Sequence, residues 1–181
     1  MFRYVKSTLD LTLPIINPSL PSGSGLLAYA DADHAGDPVA SKSTSGYLLY
    51  VDRILVLWKS KKQGLVAQST MEAELVSTAE AWKNLQWIRD TLQELGHLPG
   101  ETPSVPTIRN DNQGGVLVLN SGNFSSDSRH MRLRFHHLVD CIDKKLLDVQ
   151  HVPTGEMIAD GLTKPLGGVK HREFVKMLGL V

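Results

Sequence analysis

A single cysteine, Cys141, stands in the 181 residues, so no internal disulfide framework and no cysteine-rich zinc module can be built. Its place in an apolar helical pattern suits a buried, inert thiol, and a reducing compartment fits. Long apolar runs are also missing, because charged or polar residues interrupt each candidate before membrane-spanning length. The first residues carry no apolar signal-peptide core. Net charge is zero, with 19 Lys and Arg against 19 Asp and Glu, which argues against a strongly basic nucleic-acid clamp. A local basic patch beside an acidic metal site would cancel in that sum. No Gly-x-Ser-x-Gly elbow occurs, so Ser–His–Asp catalysis has no support. His136 and His137 are adjacent and do not form an i, i+4 metal pair.

The chain does hold enough apolar residues, 41%, for one compact domain with a short appendage. Residues 1–25 read as that appendage: a short helix or extended segment from Phe2 to Leu13, then a linker over 14–25. Pro14, Pro18, Pro21 and Ser22-Gly23-Ser24-Gly25 break regular structure there. Apolar, aromatic-rich runs predict strands over 26–31, 46–51 and 53–59, with a tight turn near Asp52. The period then lengthens. Leu85, Ile88, Leu92 and Leu95 recur at steps of three and four, giving a helix over 70–95 with Ser69 or Thr70 as N-cap and Gly96 and Pro99 at its end. A short strand over 107–110, a helix over 113–119 and a loop over 120–127 follow. A longer helix over 129–146 has Met131, Phe135, Leu138, Val139 and Ile142 on its apolar side. A strand over 147–152 and a short helix from Met157 to Leu162 complete the order. A meander followed by alternating elements predicts an α/β fold with a mixed sheet flanked by helices.

Four acidic residues fall at element ends: Asp31 closing the first strand, Glu74 in the first turn of the long helix, Asp111 after the fourth strand and Asp160 at the last short helix. In α/β sheets such places assemble sites. Clustered carboxylates are the ligands of hard divalent ions, and a pair of such ions stabilises both oxygens of an in-line phosphoryl displacement. Spacing alone leaves a turn or capping role open for each residue.

The pattern becomes specific through a resemblance. Tyr29-Ala-Asp31-Ala-Asp33-His34-Ala-Gly36-Asp37, Lys42-Ser-Thr-Ser-Gly46-Tyr47, Trp58-Lys-Ser-Lys-Lys-Gln63 and Ser69-Thr-Met-Glu72-Ala-Glu74 resemble the first half of the copia-type ribonuclease H domain of LTR-retrotransposon Pol polyproteins. Asp111-Asn-Gln113, Ser128-Arg-His130, Arg134-Phe-His136, Val152-Pro-Thr, Ala159-Asp160-Gly-Leu-Thr-Lys-Pro165 and a tail of His171, Phe174 and Leu178-Gly-Leu180 are similar to the rest. The resemblance covers about residue 26 to the end. Phe2 to Leu9 resembles the end of the upstream reverse transcriptase region. The domain division is therefore 1–25, tail and linker from that region, and 26–181, ribonuclease H domain.

The resemblance implies a ribonuclease H fold with a five-stranded sheet whose first three strands are antiparallel. It implies hydrolysis of the RNA strand of RNA–DNA hybrids during reverse transcription, with two Mg²⁺ or Mn²⁺ ions. The ligands would be Asp31, Glu74, Asp111 and Asp160, with Glu72 as the alternative to Glu74. Asp31 would bridge both ions, Asp160 would help hold the one that activates water, and Glu74 and Asp111 the one near the leaving 3′-oxygen. Asp33 and Asp37 are turn formers or outer groups. The implied partners are the hybrid and the reverse transcriptase part of the same polyprotein, and the implied setting is a cytoplasmic virus-like particle. His34 stands where the family commonly has Trp, and Ser41 where it has a basic residue. The segment between Val152 and Asp160 lacks the loop histidine of cellular ribonucleases H.

For substrate contacts the candidates are Gln113 and Thr70 at the minor groove, where 2′-hydroxyls distinguish RNA from DNA, and Lys61 and Lys62, beside Lys59, at the DNA phosphates. Helix capping is the alternative for the first two, and a solvated strand end for the lysines. Arg129, His130, Arg132 and Arg134 cannot all face one way on a helix. Trp58, Trp82 and Trp87 are expected in packing rather than base stacking. Two rival readings are a catalytically inactive or host-adopted module that binds hybrid or a Pol partner, and a strand-transfer enzyme of the same broad fold. The second would use a different acidic triad.

Overall fold

The computed structural model describes residues 6, 8–23, 25–37, 39–96, 105–124 and 128–180. Pro99, most of the proline-containing loop, residues 125–127 and most of Phe2–Leu9 lie outside them. Five strands form one sheet: β1 (Leu26–Asp33), β2 (Thr44–Val51), β3 (Ile54–Lys62), β4 (Thr107–Asn110) and β5 (Asp148–His151). Their spatial order is β3-β2-β1-β4-β5, with β1–β2 and β2–β3 antiparallel and β1–β4 and β4–β5 parallel. The mixed sheet with an antiparallel first half, expected from the residue pattern, is what the chain forms. β1 and β2 run two residues further than their apolar cores, through Asp33 and back to Thr44, because the polar hairpin ends stay paired. A bulge at Val56 lets β3 curl past the Leu49–Tyr50 step of β2.

Strand alternation sends side chains to two cores. Leu26, Ala28, Ala30 and Ala32 of β1 and Tyr47 and Leu49 of β2 face α1 (Thr70–Glu94), α2 (Gln113–Ser121) and α3 (Arg129–Asp143). Leu27, Tyr29, Leu48 and Tyr50 face the opposite way, toward Met157, Ile158, Ala159 and Leu178. That second layer contains α4 (Asp160–Thr163) and α5 (Gly168–Met177), reached through a single turn of 3-10 helix at Thr154–Glu156.

α1 buries Trp82, Leu85 and Ile88 and leaves Leu95 exposed at its C-terminal end. Of the three tryptophans expected in packing, Trp82 is 1% exposed, whereas Trp58 and Trp87 are 58% and 65% exposed. This corrects the expectation for the latter two. Trp58 sits on the edge strand, and Trp87 on the solvent side of α1. Cys141 is buried, and desolvation raises its pKa. α3 stops at Asp143 rather than Leu146, because Lys145 takes a left-handed conformation (φ 54°) and Leu146 N–H returns to the Cys141 carbonyl. Within the segment read as a linker, Asn17 bonds the backbone of Arg53 and Met177, Leu20 is buried in the second core, and Gly23 N–H donates to Asp52. Residues 17–23 are thus tied to the domain.

Candidate metal centre

Asp31, Glu74 and Asp111 come from β1, α1 and the residue after β4, and each offers a carboxylate oxygen within 4.8 Å of the other two. Parallel pairing of β1 with β4, in the register Tyr29 to Arg109, carries the residue after β4 alongside Asp31. α1 packs across β1 and presents its first turns to them. Ser69 sets where that helix starts: its hydroxyl accepts from Glu72 N–H at 3.2 Å, while Glu72 reaches back to Gln68 N–H at 2.8 Å. This resembles a capping box with the return bond one residue before the N-cap, and it commits Glu72 to the helix end. Glu74, two residues on, is the glutamate in the acidic group.

The group is held from beneath by Asn110. Its side-chain amide donates to Glu74 Oε2 at 2.9 Å and to the Ala30 carbonyl at 3.0 Å, and its oxygen accepts from Asn112 N–H at 2.7 Å. Asp31, 1% exposed, accepts a hydrogen bond from the Thr163 hydroxyl. α4 reaches that position because residue 46 of β2, paired with Asp31, is glycine. A Cβ there would lie 2.6 Å from Thr163 Cγ2 and 2.9 Å from Leu162 Cβ.

Asp160 is not in the three-carboxylate group. Its Oδ1 is 2.7 Å from Lys164 Nζ, and that ammonium is also 3.6 Å from Asp31 Oδ2. The sequence reading does not pick out Lys164, although an Asp and a Lys four apart on a short helix is a readable sign. Burial raises the Asp31 pKa against the Thr163 hydrogen bond and the Lys164 charge, with Asp160 and Asp111 adding to the rise. Burial likewise pushes Glu74 well above the usual carboxylate range, reinforced by Asp31 and opposed by Asn110 and Ala32 N–H. Burial disfavours the Lys164 ammonium, yet Asp160, Asp31 and Asp111 outweigh it and raise its pKa.

The substrate candidates lie outside this group. Gln113 and Thr70 are exposed first residues of α2 and α1, and neither supplies the helix cap; Asn112 and Ser69 do. Lys61 is exposed on β3, and Lys62 is paired with Asp37. Asp37 also accepts from Val39 and Ala40 N–H, so it organises a turn, and these contacts with Lys62 first depress its pKa. His34 Nε2 lies 3.1 Å from the Ala67 carbonyl, bridging the β1–β2 hairpin to the segment before α1.

Comparison with known proteins places the sequence and the fold. No family model matches the chain. It is 38% identical over 156 residues to the retrovirus-related Pol polyprotein from transposon RE2 of Arabidopsis thaliana, covering 86% of the chain and 10% of that protein. Against the corresponding polyprotein from transposon TNT 1-94 of Nicotiana tabacum it is 32% identical over 155 residues, covering 86% of the chain and 11% of that protein. The chain is a homologue of one segment of copia-type Pol polyproteins. It spans about one tenth of their length. Among solved structures, LC11 ribonuclease H1 from compost matches with a TM-score of 0.57 at 18% identity, covering 77% of this chain and 93% of that one. The protease–reverse transcriptase of prototype foamy virus matches with a TM-score of 0.53 at 19% identity, over 79% of this chain and 21% of that one. The fold of this Pol segment is that of ribonuclease H.

Proposed function

We propose that the chain is a ribonuclease H that cuts the RNA strand of RNA–DNA hybrids made during retrotransposon reverse transcription. One observation carries the reading. Three carboxylates from sequence-distant elements meet where β4 ends beside β1, in a chain homologous to Pol. A solved relative in fold, LC11 ribonuclease H1 in complex with an RNA/DNA hybrid, has a TM-score of 0.56 at 16% identity, and the hybrid comes to this chain by analogy.

The donor set is all oxygen and buried against a low-dielectric floor, which fits a hard divalent ion and fits soft metals poorly. Asp31, Glu74 and Asp111 would hold Mg²⁺ or Mn²⁺, with Asp160 as the fourth ligand of a two-ion site. Bound there, the ions supply Lewis-acid stabilisation of the attacking and leaving oxygens. The chain's own residues prepare the place. Asn110 fixes the Glu74 carboxylate, Thr163 orients Asp31, and the Gly46 surface sets α4 with Asp160 beside them. Glu74 rather than Glu72 serves as ligand, since Glu72 is occupied at the helix cap. Gln113 and Thr70 would meet the minor groove, and Lys61 and Lys62 the phosphates. The reverse transcriptase part of the same polyprotein is the proposed partner, and the sheet of the domain begins at Leu26.

The test is cleavage of an end-labelled RNA–DNA hybrid with Mg²⁺, Mn²⁺ or chelator, alongside Asp111→Asn. Metal-dependent cutting of the RNA strand, lost in a folded Asp111→Asn protein, is the expected result. Unchanged turnover in that variant would overturn the assignment.

A further inference from the structure

Lys164 stands in the acidic site without a part in the reading above. We infer that it is a resident counter-ion, closing the Asp31–Asp160 side of the cluster so that the free protein takes one divalent ion readily and a second only by displacing the ammonium. The inference rests on the proposed metal site.

The acidic side chains divide into two sets. Asp31, Glu74 and Asp111 form one group of oxygens with no lysine ion pair on Glu74 or Asp111 among the described residues. Asp160 faces Lys164 at 2.7 Å, and the same ammonium lies 3.6 Å from Asp31 Oδ2, so it stands between the two carboxylates. A cation seated between them would meet the lysine charge at contact distance, where like charges repel strongly in a half-buried setting.

The chain places this lysine by construction of α4. Asp160 opens the helix and Lys164 is its C-cap, four residues on and in extended conformation (φ −123°, ψ 145°). The following Pro165 disfavours helix at residue 164, so the helix stops there. Gly46 lets the helix lie against β2, and Thr163 pins it to Asp31. The Lys164 side chain keeps 38% of its surface exposed, which gives the ammonium a path to solvent when another cation arrives. Until then it offsets part of the repulsion among Asp31, Asp111 and Asp160 that metal would otherwise have to relieve.

The test titrates the full chain with Mn²⁺, read by calorimetry and by the loss of the free-ion electron spin resonance signal. Wild type, Lys164→Gln, Lys164→Arg and Asp111→Asn are compared. Wild type should bind in two steps of unequal affinity. Lys164→Gln should strengthen the weaker step by roughly ten-fold or more and lower the melting temperature in chelator, with added Mn²⁺ restoring it. Lys164→Arg should keep the two unequal steps. A Lys164→Gln protein with the wild-type isotherm and metal-free melting point would overturn the counter-ion role, and so would two equal steps in wild type. If Asp111→Asn weakens Mn²⁺ while Lys164→Gln changes nothing, only the lysine inference falls. If wild type binds no Mn²⁺, the metal-site reading falls with it.

Discussion

Gly46 is the floor under Thr163: in the β1–β2 pair it stands opposite Asp31, and a methyl added to it would lie 2.6 Å from the Thr163 side chain whose hydroxyl serves that aspartate. The Ala159 carbonyl, 3.1 Å from the same point, closes the space further. Gly46→Ala should therefore push α4 off the sheet. Overpacking of this kind costs about 1–3 kcal/mol, and a displacement near 1 Å can cost roughly 100-fold in rate. Chemical denaturation and hybrid cleavage would read the two effects. Gly155→Ala, where nothing lies within 4 Å of the added carbon, should change neither, and equal behaviour of the two variants would refute the steric account.

The two glutamates at the start of α1 should separate cleanly. Glu72→Gln weakens a cap, because the carboxylate that accepts from Gln68 N–H loses its charge; losses at a cap run to about 1 kcal/mol. Metal-dependent cleavage should survive at working temperature. Glu74→Gln keeps the helix and the Asn110 contact geometry but removes a carboxylate from the group of three. Mn²⁺ affinity and cleavage should collapse while the melting point holds or rises. The reverse pattern, with Glu72→Gln inactive and Glu74→Gln active, would exchange their roles.

Burial gives the site a pH signature. Glu74 is protonated more readily in the folded, metal-free protein than in the unfolded chain, because desolvation and Asp31 raise its pKa. The folded state then binds the extra proton between the ordinary glutamate value and the raised one. Stability from this source is complete below the ordinary value and is lost as pH rises through the raised value. The slope is at most about 1.4 kcal/mol per pH unit for one group. In chelator, melting temperature should fall from pH 5 toward alkaline pH, and Glu74→Gln should flatten that fall. Divalent binding needs the carboxylate ionised, so Mn²⁺ affinity should rise with pH over the same window and release protons. A pH-independent affinity with no proton release would contradict the geometry. The low pKa of Asp37 acts in a separate window, below the usual carboxylate range.

Much of this was legible in the residues, and the exceptions have physical causes. Period-two and period-3.6 patterns located the strands and α1, since both report burial on one face. β4 was found at its observed bounds, Thr107–Asn110. The residue pattern marks α5 only as a tail. It has no fully buried residue of its own and packs through the partly buried Phe174 and Met177, so its apolar stripe is thin. Leu95 fits the helical period of α1 yet is exposed, because periodicity does not say where the neighbouring core ends. The anchoring of residues 17–23 depends on Arg53, Asp52 and Met177, contacts too distant in sequence for local pattern to reveal. Glu74, Asp111 and Asp160 are readable as candidates at element ends, whereas Asp31, expected to close β1, lies inside it because the polar residues through Asp33 stay paired with β2. That Asp160 would face a lysine, and not the other three, is a matter of how one turn of helix sits on a glycine.

The basic edge offers a last prediction. β3 alternates sides, so Lys59 and Lys61, opposite Tyr47 and Ser45, project toward the α1 face, and Lys62, opposite Thr44, projects the other way to pair with Asp37. Among the described residues neither Lys59 nor Lys61 is in an ion pair. Lys62 already has its counter-charge, and releasing it for a phosphate would leave Asp37 uncompensated. Lys61→Ala should therefore weaken hybrid binding more than Lys62→Ala. It should also reduce the slope of log affinity against log salt by roughly one, the amount associated with one lost phosphate contact. Binding is measured in Ca²⁺ at several salt concentrations, where Ca²⁺ serves as a ligand-compatible ion for an oxygen site. If Lys62→Ala instead produces the larger drop and the larger change of slope, the hybrid breaks the Asp37 pair and runs along the opposite face of β3. If neither changes the slope, the phosphates are held elsewhere, and the exposed Arg129 and Arg132 on α3 become the residues to replace.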